Sequence, residues 1–278
     1  MKIISKETSK EDNVVKYAVK LDDSNIIEAV SFPQYNHTIC LSCQIGCPVR
    51  CVFCESGKDG MVRNLNKKEI IEQFKIINKE VKKNSGNDVS TLIFMGIGEP
   101  LLNYNEVVGA IREIKEENNN LDIRITTVGI TNKIYQLAEE RIPLKLCLSL
   151  HATNDEQRKK IIPIAKNYQF DDLIKSIYFF EKNGINTSEI AIHYLIFDNF
   201  NDSIDDANEL VRLFKDKNFE IIIKSVCPVE NQKFFESKEE NILKFINVLE
   251  KNNMKYHYSP SRGRDMKAGC GQLRRKLI

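Results

Sequence analysis

The feature that most constrains this chain is a set of three cysteines within one short segment. Cys47, Cys51 and Cys54 lie in the run Cys-Pro-Val-Arg-Cys-Val-Phe-Cys, with the spacing C-x3-C-x2-C. Thiolates this close in sequence can bind three iron atoms of a cubane [4Fe–4S] cluster, and such clusters normally take four cysteines. The segment therefore predicts a cluster with one iron open to another ligand.

A zinc site is the alternative interpretation of the same segment. Cys43 precedes Cys47 by four residues and would complete a set of four thiols. Structural zinc sites, however, usually combine two C-x2-4-C pairs that lie some distance apart in sequence. The spacing favours an iron–sulfur cluster, and the zinc alternative stays open at this point.

The composition is that of a soluble globular protein. The chain has 278 residues, of which 42% are hydrophobic and 29% are charged. No apolar run approaches the roughly 20 residues that span a bilayer, and the first residues lack the apolar core of a signal peptide. We therefore expect a cytoplasmic protein, in which eight cysteines act as metal ligands or reactive thiols and not as a disulfide framework.

Basic residues concentrate at two places, although the net charge is only +2. Residues 255–278 contain seven basic residues and a single acid, Asp265. A second group surrounds the cysteine segment and comprises Arg50, Lys58, Arg63, Lys67 and Lys68. Both groups are candidates for binding phosphates of a nucleic acid, and a merely solvated basic surface explains them equally well.

Hydrophobic periodicity predicts strands that alternate with helices from residue 38 onward. Residues 1–12 are polar and predicted to be frayed, and a hairpin of residues 17–21 and 26–32 follows. The six predicted strands are 38–43, 91–95, 121–127, 144–150, 189–197 and 220–226, with a short last strand at 255–258. Helices are predicted at 67–82, 104–116, 133–140 and 171–183, with two more starting at the capping boxes Ser203/Asp206 and Ser237/Glu240. Such alternation indicates parallel strands with helices outside.

Residues that can bind a ligand follow several of these strands. Gly96-Ile-Gly98-Glu99-Pro100 comes after the second strand, and Thr126 ends the third. Ser149-Leu150-His151 ends the fourth. Glycines allow a ligand to approach the backbone closely, and Glu99 can accept hydrogen bonds from an ammonium group. In barrels, chemistry lies at these carboxyl ends of the strands.

The cysteine spacing, with Phe53 before the last cysteine, resembles the radical S-adenosylmethionine (SAM) superfamily. The resemblance implies an α/β fold, a partial (β/α)6 TIM-type barrel, here with an N-terminal β-hairpin extension. It also implies that the amino and carboxylate groups of SAM bind the open iron, with Gly98 and Glu99 near the amino group. The expected organisation is an extension at 1–36, a barrel at 37–258 and a basic tail at 259–278.

Longer motifs are similar to one subgroup, the RlmN/Cfr family of adenosine methyltransferases. These motifs are residues 95–103, 149–156 with 162–164, 201–202 and 268–273, and the first is closer to the RlmN branch. The resemblance runs from about residue 16 to 273. It implies that Phe53, Thr126, Ser149, Leu150, His151 and Cys227 also contact SAM.

The same resemblance implies a mechanism with two SAM molecules per turnover and RNA as substrate. Cys270 would carry a methyl group as S-methylcysteine. Cys40 would release the product by forming a disulfide with Cys270, and Glu28 would accept the proton from adenine C2. Flavodoxin or ferredoxin would supply the electron to a monomeric enzyme. Cys43 and Cys147 are expected to be structural.

Three departures from the family pattern keep other functions open. The N-terminal helical domain that usually precedes the hairpin is almost absent from this chain. Cys227 stands where the family has an asparagine, and Lys267 replaces an acid before Cys270. The alternatives are the same mechanism on adenine C8, a smaller RNA, a peptide or a small molecule, and a zinc-stabilised RNA-binding module without catalysis.

Overall fold

The computed structural model describes residues 1–227, 233–269 and 271–274. The chain divides into two compact units. The first comprises residues 1–50 and 54–127 with the described residues from 262 onward, and the second comprises residues 51–53 and 128–261. None of the helices in the described part combines the length and apolarity that crossing a membrane requires.

The first unit contains a six-stranded sheet in the order β1-β2-β3-β4-β7-β8. The neighbours from β1 to β4 are antiparallel, whereas β4, β7 and β8 are parallel. Its strands are β1 (Lys2–Thr8), β2 (Val15–Lys20), β3 (Ile26–Phe32), β4 (Thr38–Leu41), β7 (Thr91–Phe94) and β8 (Asp122–Thr127), and a separate pair is formed by β5 (Gln44–Gly46) and β6 (Met61–Asn64). The helices are α1 (Lys67–Ser85) and α2 (Tyr104–Glu117).

The prediction that residues 1–12 are frayed is wrong. Strand β1 pairs with β2 from Lys2 opposite Lys20 to Thr8 opposite Val15. Most of its side chains are exposed, so the strand has no apolar face for a sequence pattern to reveal. Backbone hydrogen bonds to the edge of β2 hold it in place. The hairpin predicted after it is confirmed by β2 and β3.

Helix α1 follows from its sequence pattern. The side chains predicted to form its apolar face, Ile70, Phe74, Ile77 and Val81, are all buried. A capping box with Asn66 and Glu69 begins the helix, and Gly86 ends it in the left-handed conformation with φ of 75°.

The second unit contains four parallel strands. They are β9 (Lys145–Ser149), β10 (Ile190–Ile196), β11 (Phe219–Ser225) and β12 (Tyr256–Ser259), in that order. Its helices are α3 (Thr131–Glu139), α4 (Asp155–Ile161), α5 (Phe170–Asn183), α6 (Ile204–Phe214) and α7 (Glu239–Lys251). Strand β10 lies between two neighbours and has six of its seven residues buried, as expected for the interior of a parallel sheet.

One of the two predicted capping boxes is wrong. Ser203 and Asp206 cap α6 as predicted. Helix α7, however, begins after Lys238, which makes no side-chain capping bond. The Ser237 hydroxyl donates instead to Asp202 Oδ2 at 2.5 Å in a charge-assisted hydrogen bond.

Candidate functional site

The cysteine segment provides free thiols of unequal exposure. Cys47 is buried, whereas Cys51 and Cys54 are half-buried, and none of the three is in a disulfide. Burial raises the pKa of Cys47 to about 12, so a thiolate at this position needs a nearby cation. This donor set fits an iron–sulfur cluster. Among the described residues, no three His, Cys, Asp or Glu side chains surround a single metal-ion position.

The loop between β7 and α2 is shaped by two glycines. A Cβ on Gly96 would lie 2.7 Å from the Leu41 carbonyl carbon. Gly98 has φ of +113°, and a Cβ there would lie 2.7 Å from Gln44 Cβ. Both positions therefore require glycine. This packing brings the loop against the end of β4, directly before the cysteine segment in sequence.

Glu99 is buried, and its side chain is held from two directions. Its Oε1 accepts hydrogen bonds from the Thr127 hydroxyl at 2.6 Å and from the Leu101 N–H at 3.0 Å. Its backbone N–H donates to Gln44 Oε1 at 2.9 Å. The carboxylate is thus fixed at the carboxyl end of the parallel strands β7 and β8. A buried, oriented carboxylate of this kind suits an ammonium ligand.

Thr126 places an unsatisfied hydroxyl at the same end of the sheet. Its Oγ1 is buried and has no hydrogen-bond partner in the described part of the chain. Such groups are rare in folded proteins because leaving them unpaired is costly. The orphaned hydroxyl, next in sequence to Thr127, fits a site completed by a polar ligand.

His151 is buried in the second unit with φ of +56°. Its Nδ1 accepts a hydrogen bond from the Leu195 N–H at 3.0 Å. Burial, with the charges of Arg158 and Lys224, lowers the pKa of His151 to about 3. The ring is therefore neutral near pH 7 with its proton on Nε2, which makes Nε2 a hydrogen-bond donor.

The surroundings of His151 fix its position. The Phe53 ring packs edge-on against it, with centroids 5.1 Å apart. Asn201 Nδ2 donates to the carbonyls of His151 at 2.9 Å and Leu195 at 2.8 Å. Asn201 lies in one of the motifs that resemble the RlmN/Cfr family, but that resemblance predicts no role for its side chain.

The remaining residues predicted to contact SAM differ in exposure. Ser149 is half-buried, and Leu150 is fully buried. The Leu150 N–H lies 3.0 Å from the Leu148 carbonyl and 3.1 Å from the His193 carbonyl. Cys227 is buried, and residues 228–232 after it lie outside the described residues.

Cys40 lies on β4 in an apolar cluster that includes part of the carboxy-terminal segment. Its neighbours there are Val14, Val30, Ile97, Ala268 and Leu273. Cys270 itself lies outside the described residues. Two residues close to it in sequence, Ala268 and Leu273, nevertheless share a cluster with Cys40.

Glu28 is buried and contacts the same carboxy-terminal segment. Its Oε2 accepts a hydrogen bond from the Arg274 N–H at 3.0 Å, and Lys16 Nζ lies 4.0 Å from Oε1. Cys43 and Cys147 are both buried, in agreement with a structural role.

Acidic partners neutralise much of the basic group near the cysteine segment. Lys58 pairs with Glu55, Lys67 pairs with Glu113, and Arg63 pairs with both Asp23 and Glu69. Two of these acids, Asp23 and Glu113, are distant in sequence from the cysteine segment. Counting the basic residues of the segment alone therefore overestimates its positive charge.

Comparison with known proteins gives both sequence and structural relatives. The family model described as Radical SAM superfamily matches residues 41–214. The chain is 40% identical over 268 residues to "Probable dual-specificity RNA methyltransferase RlmN" of Dictyoglomus turgidum, covering 94% of this chain and 76% of the relative. It is 37% identical over 284 residues to the protein of the same name from Thermotoga petrophila, covering 100% of this chain and 80% of the relative.

Solved structures confirm the predicted fold class. A radical SAM methyltransferase from Sphaerobacter thermophilus matches with a TM-score of 0.91 and 29% identity, covering 98% of this chain and 80% of that one. SuiB from Streptococcus suis, bound to the precursor peptide SuiA, matches with a TM-score of 0.58 and 15% identity, covering 80% and 48%. The second likeness concerns the fold alone. The chain has the predicted α/β fold, a partial TIM-type barrel.

Proposed function

The chain belongs to the radical SAM superfamily and, within it, to the RlmN family of methyltransferases, and on this premise we propose that it methylates C2 of an adenosine in 23S rRNA, in tRNA or in both. The observation that carries the proposal is the identity of 35–40% to curated RlmN proteins over nearly the whole chain. The chain is an enzyme of this class, whose cofactors are a [4Fe–4S] cluster and SAM.

We assign the cluster to Cys47, Cys51 and Cys54. The assigned SAM contacts are Phe53, Gly98, Glu99, Thr126, Ser149, Leu150, His151 and Cys227. When bound, the cluster and SAM supply radical chemistry, which can modify an aromatic carbon that is not nucleophilic.

The chain's own residues orient SAM by hydrogen bonding. The Glu99 carboxylate, held by Thr127 and the Leu101 N–H, accepts from the ammonium group of SAM. The neutral His151 ring offers its Nε2–H as a donor, and the Thr126 hydroxyl supplies a further polar contact. The glycine loop allows the ligand to approach the backbone.

Three further residues carry out the group transfer in this proposal. Cys270 receives a methyl group from one SAM and holds it as S-methylcysteine, and a second SAM is consumed in the radical step. The Cys40 thiolate then attacks the Cys270 sulfur in the adduct and forms a disulfide; the bond from that sulfur to the methylene carbon on adenine breaks, and this carbon takes up a proton to become the methyl group. Glu28 accepts the proton that leaves C2. The shared cluster of Cys40, Ala268 and Leu273 supports the pairing of the two thiols.

The partners follow from the same proposal. RNA is the substrate, and flavodoxin or ferredoxin donates the electron. A monomeric, cytoplasmic enzyme remains the prediction from sequence. The three-part domain division predicted there also remains a prediction.

Nucleoside analysis of cellular RNA tests the proposed substrate and position. Ribosomal and transfer RNA from cells with and without the gene are digested and compared by mass spectrometry. We expect 2-methyladenosine only where the gene is present, and none when Cys270→Ser replaces the wild type. Gene-dependent 8-methyladenosine would overturn the C2 assignment, and RNA without any gene-dependent change would overturn the RNA substrate.

A further inference from the structure

The residues just after Cys270 are bound to the turn that follows the cysteine segment. The Glu55 N–H donates to the Gly271 carbonyl at 2.7 Å. The Ser56 hydroxyl donates to the Leu273 carbonyl at 2.6 Å. Both donors lie in the 3-10 turn Glu55–Gly57, directly after Cys54. The chain therefore ties residues 271–273 to the loop that we assign to the cluster.

An ion pair reinforces this attachment. Arg274 Nε and Nη2 donate to the two carboxylate oxygens of Asp59 at 2.7 and 2.8 Å. Arg274 Nη1 also lies 3.5 Å from Glu55 Oε2. Two parallel bonds between guanidinium and carboxylate fix orientation as well as distance. The Arg274 side chain is 39% exposed and that of Asp59 is 19% exposed, so the pair is accessible to water and salt.

A different part of the first unit holds the residues before Cys270. The Gly263 N–H donates to Asp12 Oδ2 at 2.8 Å, and the Lys10 N–H donates to Asp265 Oδ2 at 3.0 Å. The Lys16 ammonium donates to the Met266 carbonyl. These partners belong to the segment from the β1–β2 connection into β2. The described residues on either side of Cys270 thus have different partners, and hydrogen bonds between Gly269 and Gln272 join the two sides.

We propose that Asp59 and Arg274 are a positioning pair that holds the Cys270-bearing segment against the turn after the cysteine segment. This proposal rests on the proposed function, because positioning matters only if Cys270 is the methyl carrier. The other bonds on the carboxyl side of Cys270 include the two neutral hydrogen bonds to the turn and the bond from the Arg274 N–H to Glu28. Because salt and water weaken this ion pair, it attaches the residues after Cys270 reversibly. A thiol that reacts with several partners in turn requires such a reversible attachment.

Alkylation of the full-length holoenzyme tests the pair without RNA or turnover. The variants are Asp59→Ala, Arg274→Ala and the charge-reversed double variant Asp59→Arg/Arg274→Asp. The rate at which N-ethylmaleimide modifies Cys270 is followed by peptide mass spectrometry, with the buried Cys147 as internal reference. We expect the Cys270 rate to rise about three- to tenfold in both single variants and to fall again in the double variant.

Turnover provides the second readout. The ratio of 5′-deoxyadenosine released to RNA methylated should rise in the single variants, because a displaced Cys270 leaves the radical without its target. The matched control is Lys82→Ala, which removes the exposed ion pair to Asp88 and should change neither readout.

The outcomes separate the two proposals. An unchanged rate of Cys270 alkylation in both single variants would overturn the positioning pair. So would an alkylation rate that rises equally at Cys147 and Cys270 and stays high in the double variant. If alkylation behaves as expected but the wild type methylates no RNA, the proposed function fails and the attachment of the segment stands.

Discussion

Glu99 has the most closely specified surroundings of the residues assigned to SAM. It is buried, and its Oε1 accepts from both the Thr127 hydroxyl and the Leu101 N–H. Gly98, with φ of +113°, sets the backbone direction immediately before it. The sequence motif predicted Glu99 as a contact, but the role of Thr127 depends on the neighbouring strand and was not predicted.

Replacing Thr127 with valine should weaken SAM binding selectively. Thr127→Val keeps the side-chain shape but removes a hydroxyl donor to Glu99, so we expect the Kd for SAM to rise about tenfold. Binding of 5′-methylthioadenosine, which lacks the amino-acid part, should be unchanged. Thr127→Ser should restore SAM affinity in equilibrium dialysis. An equal loss for both ligands would indicate general damage to the site.

His151 should make the stability of the protein depend on pH. Its folded pKa of about 3 is below the ordinary value of 6.5, so the unfolded state binds more protons between these values. The contribution of His151 to the free energy of unfolding is therefore fully present well above pH 6.5 and is lost as the pH drops toward 3. We expect about 2 kcal/mol to be lost between pH 7 and pH 5.

Urea denaturation at both pH values measures this loss. The variant His151→Gln should lose less stability over the same interval than the wild type, because its side chain does not titrate. Equal pH dependence in the two proteins would contradict the assignment of the effect to His151.

At the scale of elements, Asn201 connects the end of β10 to the segment after β9. Besides its bonds to the carbonyls of His151 and Leu195, its Oδ1 accepts from the Phe197 N–H at 2.7 Å. Asn201→Ala leaves these buried backbone groups without their partner, which should lower the free energy of unfolding by about 2–4 kcal/mol. The control Asn183→Ala removes one exposed bond to the Phe179 carbonyl and should cost well under 1 kcal/mol.

The elements show where sequence patterns succeed. Helix α1 was predictable because its buried side chains recur with the helical period of 3.6 residues. Strand β10 was predictable because it is a short, mostly apolar run of the length of a buried strand. Strand β1 was missed because backbone pairing, not an apolar face, holds it. Helix α4 was missed because it has seven residues, too few for a periodic signal. Ser237 was misassigned because its partner, Asp202, lies 35 residues away.

At the scale of the whole molecule, local motifs predicted the chemistry but not the contacts that support it. The cysteine spacing and the Gly-Ile-Gly-Glu motif are contiguous, so the sequence displays them directly. The bond between Arg274 and Asp59 joins residues 215 positions apart, and no local pattern encodes it. Two ion pairs of the basic group near the cysteines, Arg63 with Asp23 and Lys67 with Glu113, likewise join residues that are distant in sequence.

Loss of one cluster cysteine should remove iron from the protein. Anaerobically purified Cys51→Ala should contain much less iron and acid-labile sulfide than the wild type, because only two motif cysteines remain as ligands. Cys147→Ala, in the interior of β9, should retain both. Stoichiometric zinc in the wild type, with little iron, would contradict the cluster assignment.

The most direct measurement is the mass of the Cys270 peptide after the iron-loaded enzyme has been incubated with SAM bearing a deuterated methyl group. The account predicts one labelled methyl group on Cys270 and none on Cys147 or Cys43. An unmodified Cys270 thiol, in a preparation that nevertheless methylates RNA, would contradict it.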